Sequence, residues 1–253
     1  MDDSTADLLL ALNQRFYSEF APVFAASRPV GDAALGCILP YTPPAARVLD
    51  VGCGNGRLAS LLDTERPGAH YVGVDVIDEM IVIARAAAAE LHAISCEFWV
   101  LDVARPGWSA ALQGEAGAGL PERRFDVVTA LAVLHHIPGL GRRAALLAEM
   151  AGLLRPGGRL VVSTWQFLEA ARLQRKLVPW SEIGVAEARL EPGDYLLDWR
   201  RGGCGLRYCH LVDEAELQRL AQVAGLAVRE TFRAGGQEGN LSLFGVLEPV
   251  GSG

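Results

Sequence analysis

The chain reads as an α/β fold built on a largely parallel sheet, and three observations carry that reading. A short apolar strand, Arg47-Val48-Leu49-Asp50-Val51, runs into Gly52-Cys53-Gly54-Asn55-Gly56 and then into a helical stretch from Leu58 to Leu62. A second strand, Tyr71-Val72-Gly73-Val74-Asp75, follows and ends in an acid. Apolar strand segments and helical segments then alternate to about residue 165, the order expected of βαβ units.

The glycine turn defines the ligand class. A strand that enters a glycine-rich turn and then a helix is the first unit of a nucleotide-binding sheet, because a side chain there would block the ligand from the backbone. A dinucleotide fingerprint needs its third glycine one position later; here that position is Arg57 and the glycine is Gly56. Asp50, at the strand end, repels a pyrophosphate but suits an ammonium group. Asp75 lies at the ribose-binding distance of about twenty residues past the glycines and can accept from both ribose hydroxyls. A nucleoside with a cationic amino-acid tail satisfies all of these features.

At these residues the chain resembles the class I S-adenosyl-L-methionine (SAM)-dependent methyltransferases. The matching segments are Leu49 to Gly56, Val72-Gly73-Val74-Asp75, Leu101-Asp102-Val103, Phe125-Asp126-Val127-Val128 and Leu154-Arg155-Pro156-Gly157-Gly158, in the family's order. The resemblance implies a Rossmann-like, seven-stranded, mostly parallel sheet with helices on both faces and a C-terminal antiparallel hairpin. It implies SAM as cofactor, leaving as S-adenosyl-L-homocysteine. It places Tyr17, Gly52, Cys53, Gly54, Asn55, Val76, Asp102, Val103 and Leu131 around that cofactor beside Asp50 and Asp75, with Asp102-Val103 at the adenine.

The elements follow in order. Leu8, Leu9, Leu12, Phe16, Phe20 and Phe24 share a helical face over residues 4 to 28, and Pro22 splits that stretch into two shorter helices. It either packs on the sheet edge or caps the cofactor with Tyr17 and Arg28 facing inward. A helix over Gly31 to Leu39 leads to the link Tyr41-Thr42-Pro43-Pro44. After the first two units come a helix over Glu79 to Ala93 and a strand over Cys96 to Val100. Ala104 to Arg124 is loop-like, with Trp108 as packing. The fourth strand, Phe125 to Leu131, ends at Ala132-Val133-Leu134-His135-His136, at the crevice formed by strand ends. A helix to Leu154 and a strand over Arg159 to Thr164 complete the core. Residues 165 to 210 leave the core pattern and read as a substrate lid; residues 1 to 40 form a helical cap. A helix over Asp213 to Ala224, capped by Asp213, precedes strands over Leu226 to Phe232 and Leu241 to Leu247. No internal repeat interrupts what reads as a single domain over residues 1 to 253.

Composition narrows the class. The chain has 253 residues, 51% hydrophobic, enough to bury one large core. No apolar run approaches the roughly 20 residues that span a bilayer. The acidic start, Met1-Asp2-Asp3, argues against a secretory signal. Five cysteines without a C-x-x-C pair suggest reduced thiols and a cytoplasmic location. Cys204, Cys209 and His210 lack a fourth zinc ligand at a usual spacing, so no metal is expected. The net charge of −7 advertises no nucleic-acid-binding face, and Lys176 is the sole lysine among the cations.

Further segments resemble one subfamily. Phe24-Ala25-Ala26-Ser27-Arg28, Ala132 to His136 with Arg142-Arg143 after it, Gly193-Asp194, and Arg207-Tyr208-Cys209-His210-Leu211 look like parts of the tRNA methyltransferases that esterify a carboxymethyl group on the wobble uridine. That resemblance makes tRNA the partner, implies a small activating protein subunit, and assigns Arg207, Tyr208 and His210 to the substrate. An ionised carboxylate needs no base; it needs a cation to hold it, and Arg28 is the candidate. An amine or hydroxyl acceptor uses a base, for which His135 or His136 serves; the two are otherwise a hydrogen-bonded wall of the pocket. The alternatives are a small-molecule N-, O- or C-methyltransferase and a non-catalytic SAM-binding regulatory subunit.

Overall fold

The structure is a computed structural model that describes residues 1–27, 33–113 and 124–251. The strands are β1 (Arg47–Val51), β2 (His70–Asp75), β3 (Ser95–Val100), β4 (Phe125–Leu131) and β5 (Leu154–Trp165). They continue as β6 (Leu177–Val178), β7 (Asp194–Trp199), β8 (Gly205–His210), β9 (Leu226–Ala234) and β10 (Ser242–Pro249). The helices are α1 (Asp3–Ala26), α2 (Ala33–Gly36), α3 (Arg57–Glu65) and α4 (Asp78–Ala88). After them come α5 (Ala110–Gln113), α6 (Leu140–Gly152), α7 (Ala171–Gln174) and α8 (Glu214–Val223).

Seven strands form one sheet in the order β3-β2-β1-β4-β5-β10-β9. β1 to β5 pair in parallel, and β10 pairs antiparallel with both β5 and β9. The expected Rossmann-like sheet with its C-terminal antiparallel hairpin is therefore present. The strand order reverses between β1 and β4, so a crevice opens at the carboxyl ends of these two strands. Both are covered on each face, which is why they read as continuous apolar runs: Val48, Leu49, Val51, Val127, Val128 and Ala130 are fully buried. α3 and α4 pack on one face through Leu58, Leu62, Ile81 and Ala84. α6 and α8 pack on the other through Leu146, Leu147, Met150, Leu217 and Leu220.

Residues 165 to 210, which leave the core pattern, fold as a second antiparallel sheet in the order β6-β7-β8. Sequence periodicity did not reveal it, because β6 has only two residues and β7 and β8 carry charged side chains inward. Other boundaries moved as well. α4 stops at Ala88 instead of Ala93, and β5 begins at Leu154 instead of Arg159. In place of a helix to Leu39, α2 covers Ala33–Gly36 and a single 3₁₀ turn covers Leu39–Tyr41.

The N-terminal stretch is one helix, not two. α1 continues through Pro22. A proline inside a helix costs about 3 kcal/mol, but burial on both sides of Pro22 opposes the break. Phe20 packs with Phe16 and Trp199, and Ala21 packs with Ile77 and Met80 of the α4 region. α1 thereby bridges the large sheet's helices and the small sheet. Asn13 makes the second attachment: its Oδ1 accepts from the Tyr208 N–H at 2.8 Å and its Nδ2 donates to the Tyr208 carbonyl at 3.1 Å. Among the described residues no helix is long and apolar enough to cross a membrane.

Asn13→Ala leaves the buried Tyr208 N–H of β8 without its partner and removes one of two donors from the Tyr208 carbonyl, which keeps His136 Nδ1. We expect it to lower the unfolding free energy by about 2–3 kcal/mol, read by denaturant titration. Asn13→Leu, which restores volume but not the hydrogen bonds, is expected to lose a similar amount.

Candidate functional site

A cavity opens at the strand-order reversal. It is lined by the ends of β1, β2 and β4, by the turn after β1 and by the inner face of α1. The turn needs glycine for two separate reasons. Gly52 and Gly54 hold φ of +70° and +53°, which disfavours any Cβ. A Cβ on Gly52 would also sit 2.4 Å from Val133, whereas one on Gly54 would meet only open space.

Four N–H groups of this turn are already used. Gly52 and Cys53 donate to the Val74 carbonyl at 2.7 and 3.0 Å, Gly54 donates to Asp75 Oδ2 at 2.9 Å, and Gly56 donates to the Cys53 carbonyl at 3.1 Å. A phosphate cradle presents such groups to its ligand. The cavity instead sets Asp50, Asp75 and Asp102 around this turn, acceptors for a cation and for hydroxyls.

Asp50 is buried; its carboxylate accepts from the Tyr71 hydroxyl at 2.7 Å and from the Thr129 hydroxyl at 2.7 Å. Burial pushes it up to about 6, against the two hydrogen bonds that pull it down. Burial also raises Asp75, against N–H groups donated by Ile77 and Gly54. Asp102 accepts from the Ala104 N–H at 3.1 Å and pairs with Arg105 at 3.1 Å. Asn55, Val76, Val103 and Leu131 complete the walls. The Cys53 thiol is driven well above its ordinary value by burial and by Asp75 and Asp50, so it is a wall group and not a nucleophile.

The end of β4 carries strain. Ala132 holds φ of +62°, and its N–H donates to the Ser163 carbonyl and hydroxyl, each at 3.0 Å. A non-glycine residue in this region costs about 1 kcal/mol or more. The reversal aims the next turn at the cavity. There His136 lies 2.8 Å from the Tyr17 hydroxyl through Nε2 and 3.2 Å from the Tyr208 carbonyl through Nδ1. A carbonyl only accepts, so Nδ1 carries the proton and Nε2 accepts from Tyr17. His136 and Tyr17 both line the cavity. His135 does not: it is buried behind His136, and its Nδ1 accepts from the Trp165 N–H at 3.3 Å. The expectation of His135 as a base is corrected on that ground. Arg28 lies outside the described residues.

Arg207 stands behind Tyr17. It is 4% exposed, its Nη1 is 3.4 Å from the Tyr17 hydroxyl, and its guanidinium carbon lies 4.8, 5.5 and 5.5 Å from the rings of Trp165, Phe16 and Trp199. Its Nε has no partner, and no described carboxylate pairs with it. Arg207 does not itself line the cavity and reaches it through the Tyr17 hydroxyl, whereas Tyr208 and His210 are not brought to the cavity, and their assignment to the substrate is corrected. Both side chains are buried in an ionic network. Asp194 Oδ1 accepts from Tyr208 at 2.8 Å and from His210 Nδ1 at 2.6 Å, while Glu216 lies 3.2 Å from His210 Nε2. Arg143 joins Glu216 and Glu191, each at 2.9 Å. Ligand atoms of Glu191, Asp194 and His210 lie within 4.8 Å of one another, but Arg143 and the imidazole already meet their charge. Cys209 and His210 are strand neighbours that face opposite ways, so they cannot share an ion.

Three contributors escaped the sequence reading. Thr129 is a polar residue inside an apolar strand, and Asn13 is a polar residue on the apolar face of a helix; those interruptions were the available signals. Arg143 gave none.

The fold and the cavity together define an α/β domain that binds a nucleoside with a cationic tail, and S-adenosyl-L-methionine fits the donor set. A family model described as a methyltransferase domain matches residues 24–231, and the chain belongs to that family. It is 30% identical over 184 residues to a ubiquinone biosynthesis O-methyltransferase of Aeromonas salmonicida, covering 73% of this chain and 64% of the relative. It is 26% identical over 210 residues to a probable tRNA methyltransferase 9B of Bos taurus, covering 81% of this chain and 40% of the relative. The chain thus spans less than two thirds of either relative's length. A SAM-dependent methyltransferase structure from Methanosarcina mazei shares the fold, with a TM-score of 0.61, 21% identity and coverage of 84% of this chain and 96% of that one.

The ionic network has a pH signature. Burial alone would lower His210, but the hydrogen bonds to Asp194 and Glu216 carry it above its ordinary value, and His210 in turn pulls Glu216 down to about 2. A raised imidazole stabilises the fold fully below its unfolded value of about 6.5, and that contribution is lost as pH rises through the folded value. The Glu216 contribution is present above its unfolded value and is lost as pH falls through about 2. His210→Gln is expected to destabilise by about 2–3 kcal/mol near pH 6. The gap from the parent protein should narrow with rising pH, read by thermal unfolding across the alkaline range.

Proposed function

We propose that the protein is a SAM-dependent methyltransferase whose acceptor is a carboxylate, the carboxymethyl group of a tRNA wobble uridine. The observation that supports this acceptor is Arg207. A guanidinium buried among three aromatic rings without an acid is a costly arrangement unless a ligand supplies the counter-charge. Its planar fork suits a carboxylate. The bovine relative named as a probable tRNA methyltransferase supports the same direction.

In this reading Asp75 would accept from the ribose hydroxyls of SAM, and Asp50 would take the ammonium. Asp102 and Val103 border the adenine, and Tyr17, Val76 and Leu131 close the walls. The bound cofactor supplies a methyl group activated by a positively charged sulfur. The acceptor carboxylate arrives ionised, so the chain needs to orient it and exclude water, not deprotonate it. Arg207 orients it, and Tyr17, held by His136, fixes the near side of the guanidinium.

A second reading, methylation of a small molecule at oxygen or nitrogen, is favoured by the Tyr17–His136 pair. A hydroxyl or amine acceptor must lose a proton, and His136 Nε2 is oriented to receive one through Tyr17. The Aeromonas relative is named as an O-methyltransferase.

Transfer of labelled methyl from SAM to bulk tRNA, followed by mild alkali, separates the readings. Alkali-labile label on RNA is the expected result; alkali-stable label or no label on RNA removes the carboxylate assignment. Arg207→Ala should reduce transfer about 100-fold, a loss of roughly 2.7 kcal/mol, with SAM affinity within about twofold of the parent. Arg207→Lys should not restore it.

Cofactor binding gives an independent check by calorimetry. Asp75→Ala should weaken SAM binding by at least about tenfold, or 1.4 kcal/mol. Affinity should also fall as pH drops through about 6, where Asp50 takes up its proton. Asp50→Asn should bind SAM weakly at every pH and flatten that profile.

A further inference from the structure

The small sheet holds a second group of cations that the reading above does not use. Lys176, the sole lysine of the chain, precedes β6. Its carbonyl accepts from the Asp198 N–H at 2.8 Å, which sets it beside the end of β7. Its ammonium lies 5.7 Å from the centre of the Trp199 ring, the same ring that Arg207 approaches at 5.5 Å. One indole therefore faces two cations, an arrangement that attracts each to the ring but does nothing to relieve their mutual repulsion.

The surroundings do not relieve it either. Burial lowers the Lys176 ammonium below its ordinary value, and Arg207, Arg172 and Arg201 lower it further; Asp198 alone opposes them. Asp198 is itself paired with Arg200 at 2.7 Å. Arg172, Lys176, Arg201 and Arg207 take part in no ion pair among the described residues. Elsewhere arginines such as Arg142, Arg159, Arg189, Arg229 and Arg233 each meet a carboxylate. A chain with a net charge of −7 has thus left four cations uncompensated around the small sheet: Arg172 in α7, Lys176 just before β6, Arg201 just after β7 and Arg207 in β8. Arg207 is the buried member, with its Nε unpartnered; Arg172 and Arg201 are exposed and Lys176 is half-buried at the rim.

We infer that Lys176, which lies over the Trp199 ring, Arg172, four residues before it in α7, and Arg201, whose carbonyl accepts from Trp199 Nε1, form a phosphate-binding subsite that holds a phosphate of the acceptor while Arg207 faces the group to be methylated. The inference rests on the carboxylate reading for the role of Arg207, but the subsite itself requires only a phosphate. Two sources offer one, the phosphodiester backbone of RNA and the phosphate of a small metabolite. An ammonium and two guanidiniums bring three charges and multiple donors to phosphate oxygens. A local positive field on an acidic protein also directs an anionic acceptor to this patch and away from the rest of the surface.

The lone lysine allows a direct test. The full chain, saturated with S-adenosyl-L-homocysteine, is acetylated briefly with an amine-reactive ester, and peptide mass spectrometry compares Lys176 with the N-terminal amine. A short single-stranded RNA, uridine 5′-monophosphate and inorganic phosphate are added in separate arms. RNA is expected to slow acetylation of Lys176 about tenfold at micromolar concentration, with protection declining in salt by roughly 0.7 log unit of affinity per log unit of salt for each phosphate contact. The double variant Arg172→Ala/Arg201→Ala should lose the protection while keeping its thermal midpoint and SAM affinity. Protection by the monophosphate or by inorganic phosphate at millimolar concentration, without protection by RNA, supports the subsite and removes RNA as the acceptor. Lys176 acetylated at the same rate in every arm overturns the subsite. A labelled methyl ester on RNA under that outcome would leave the carboxylate reading standing alone.

Discussion

A carboxylate buried at the end of the central strand must be held by hydrogen bonds or give up its charge, and the cavity is organised around that constraint. Asp50 is held by Tyr71 from β2 on one side and Thr129 from β4 on the other. Those two strands flank β1 in register, Asp50 opposite both Gly73 and Thr129. The same register leaves the turn after β1 with its N–H groups bonded to β2 and to Asp75. The fold thus makes a pocket bordered by Asp50, Asp75 and Asp102 where other nucleotide-binding folds make a phosphate cradle. A single-glycine shift in the turn and one acid at the strand end account for the difference.

The second organising feature is β8. Arg207 turns toward the aromatic rings behind Tyr17, the backbone of Tyr208 holds Asn13 and His136, and the side chains of Tyr208 and His210 enter the ionic network. One short strand therefore fixes the histidine tautomer, presents the guanidinium and ties the small sheet to α6 and α8 through Arg143 and Glu216. Displacing it would disturb all three at once, so the small sheet is tied to the cavity wall through His136 and Tyr17.

The parts legible in the sequence are those with local causes. Glycine spacing, the acids ending β1 and β2 and the apolar runs of buried parallel strands announce the large sheet directly. Pro22 misled because a local rule was outweighed by burial of Phe20 and Ala21 against partners distant in sequence. Tyr208 and His210 misled for a related reason. Alternation places successive side chains on opposite faces, but only the pairing with β7 and the approach of α8 decide which face is the site. Asn13 and Arg143 act wholly through such distant contacts, and nothing beside them in the chain foretells it.

The pairing of Asn13 with the backbone of Tyr208 has a consequence for solubility. β8 is an outer strand of its three-stranded sheet, and an outer strand offers unpaired amide and carbonyl groups to any passing chain. The asparagine amide supplies one donor and one acceptor in the positions a neighbouring strand would use, so a helix side chain closes the edge that another copy of the protein could otherwise join. The cap helix is in this sense also a guard against self-association, and a change that lifted it from β8 would open a template for aggregation along with the cavity.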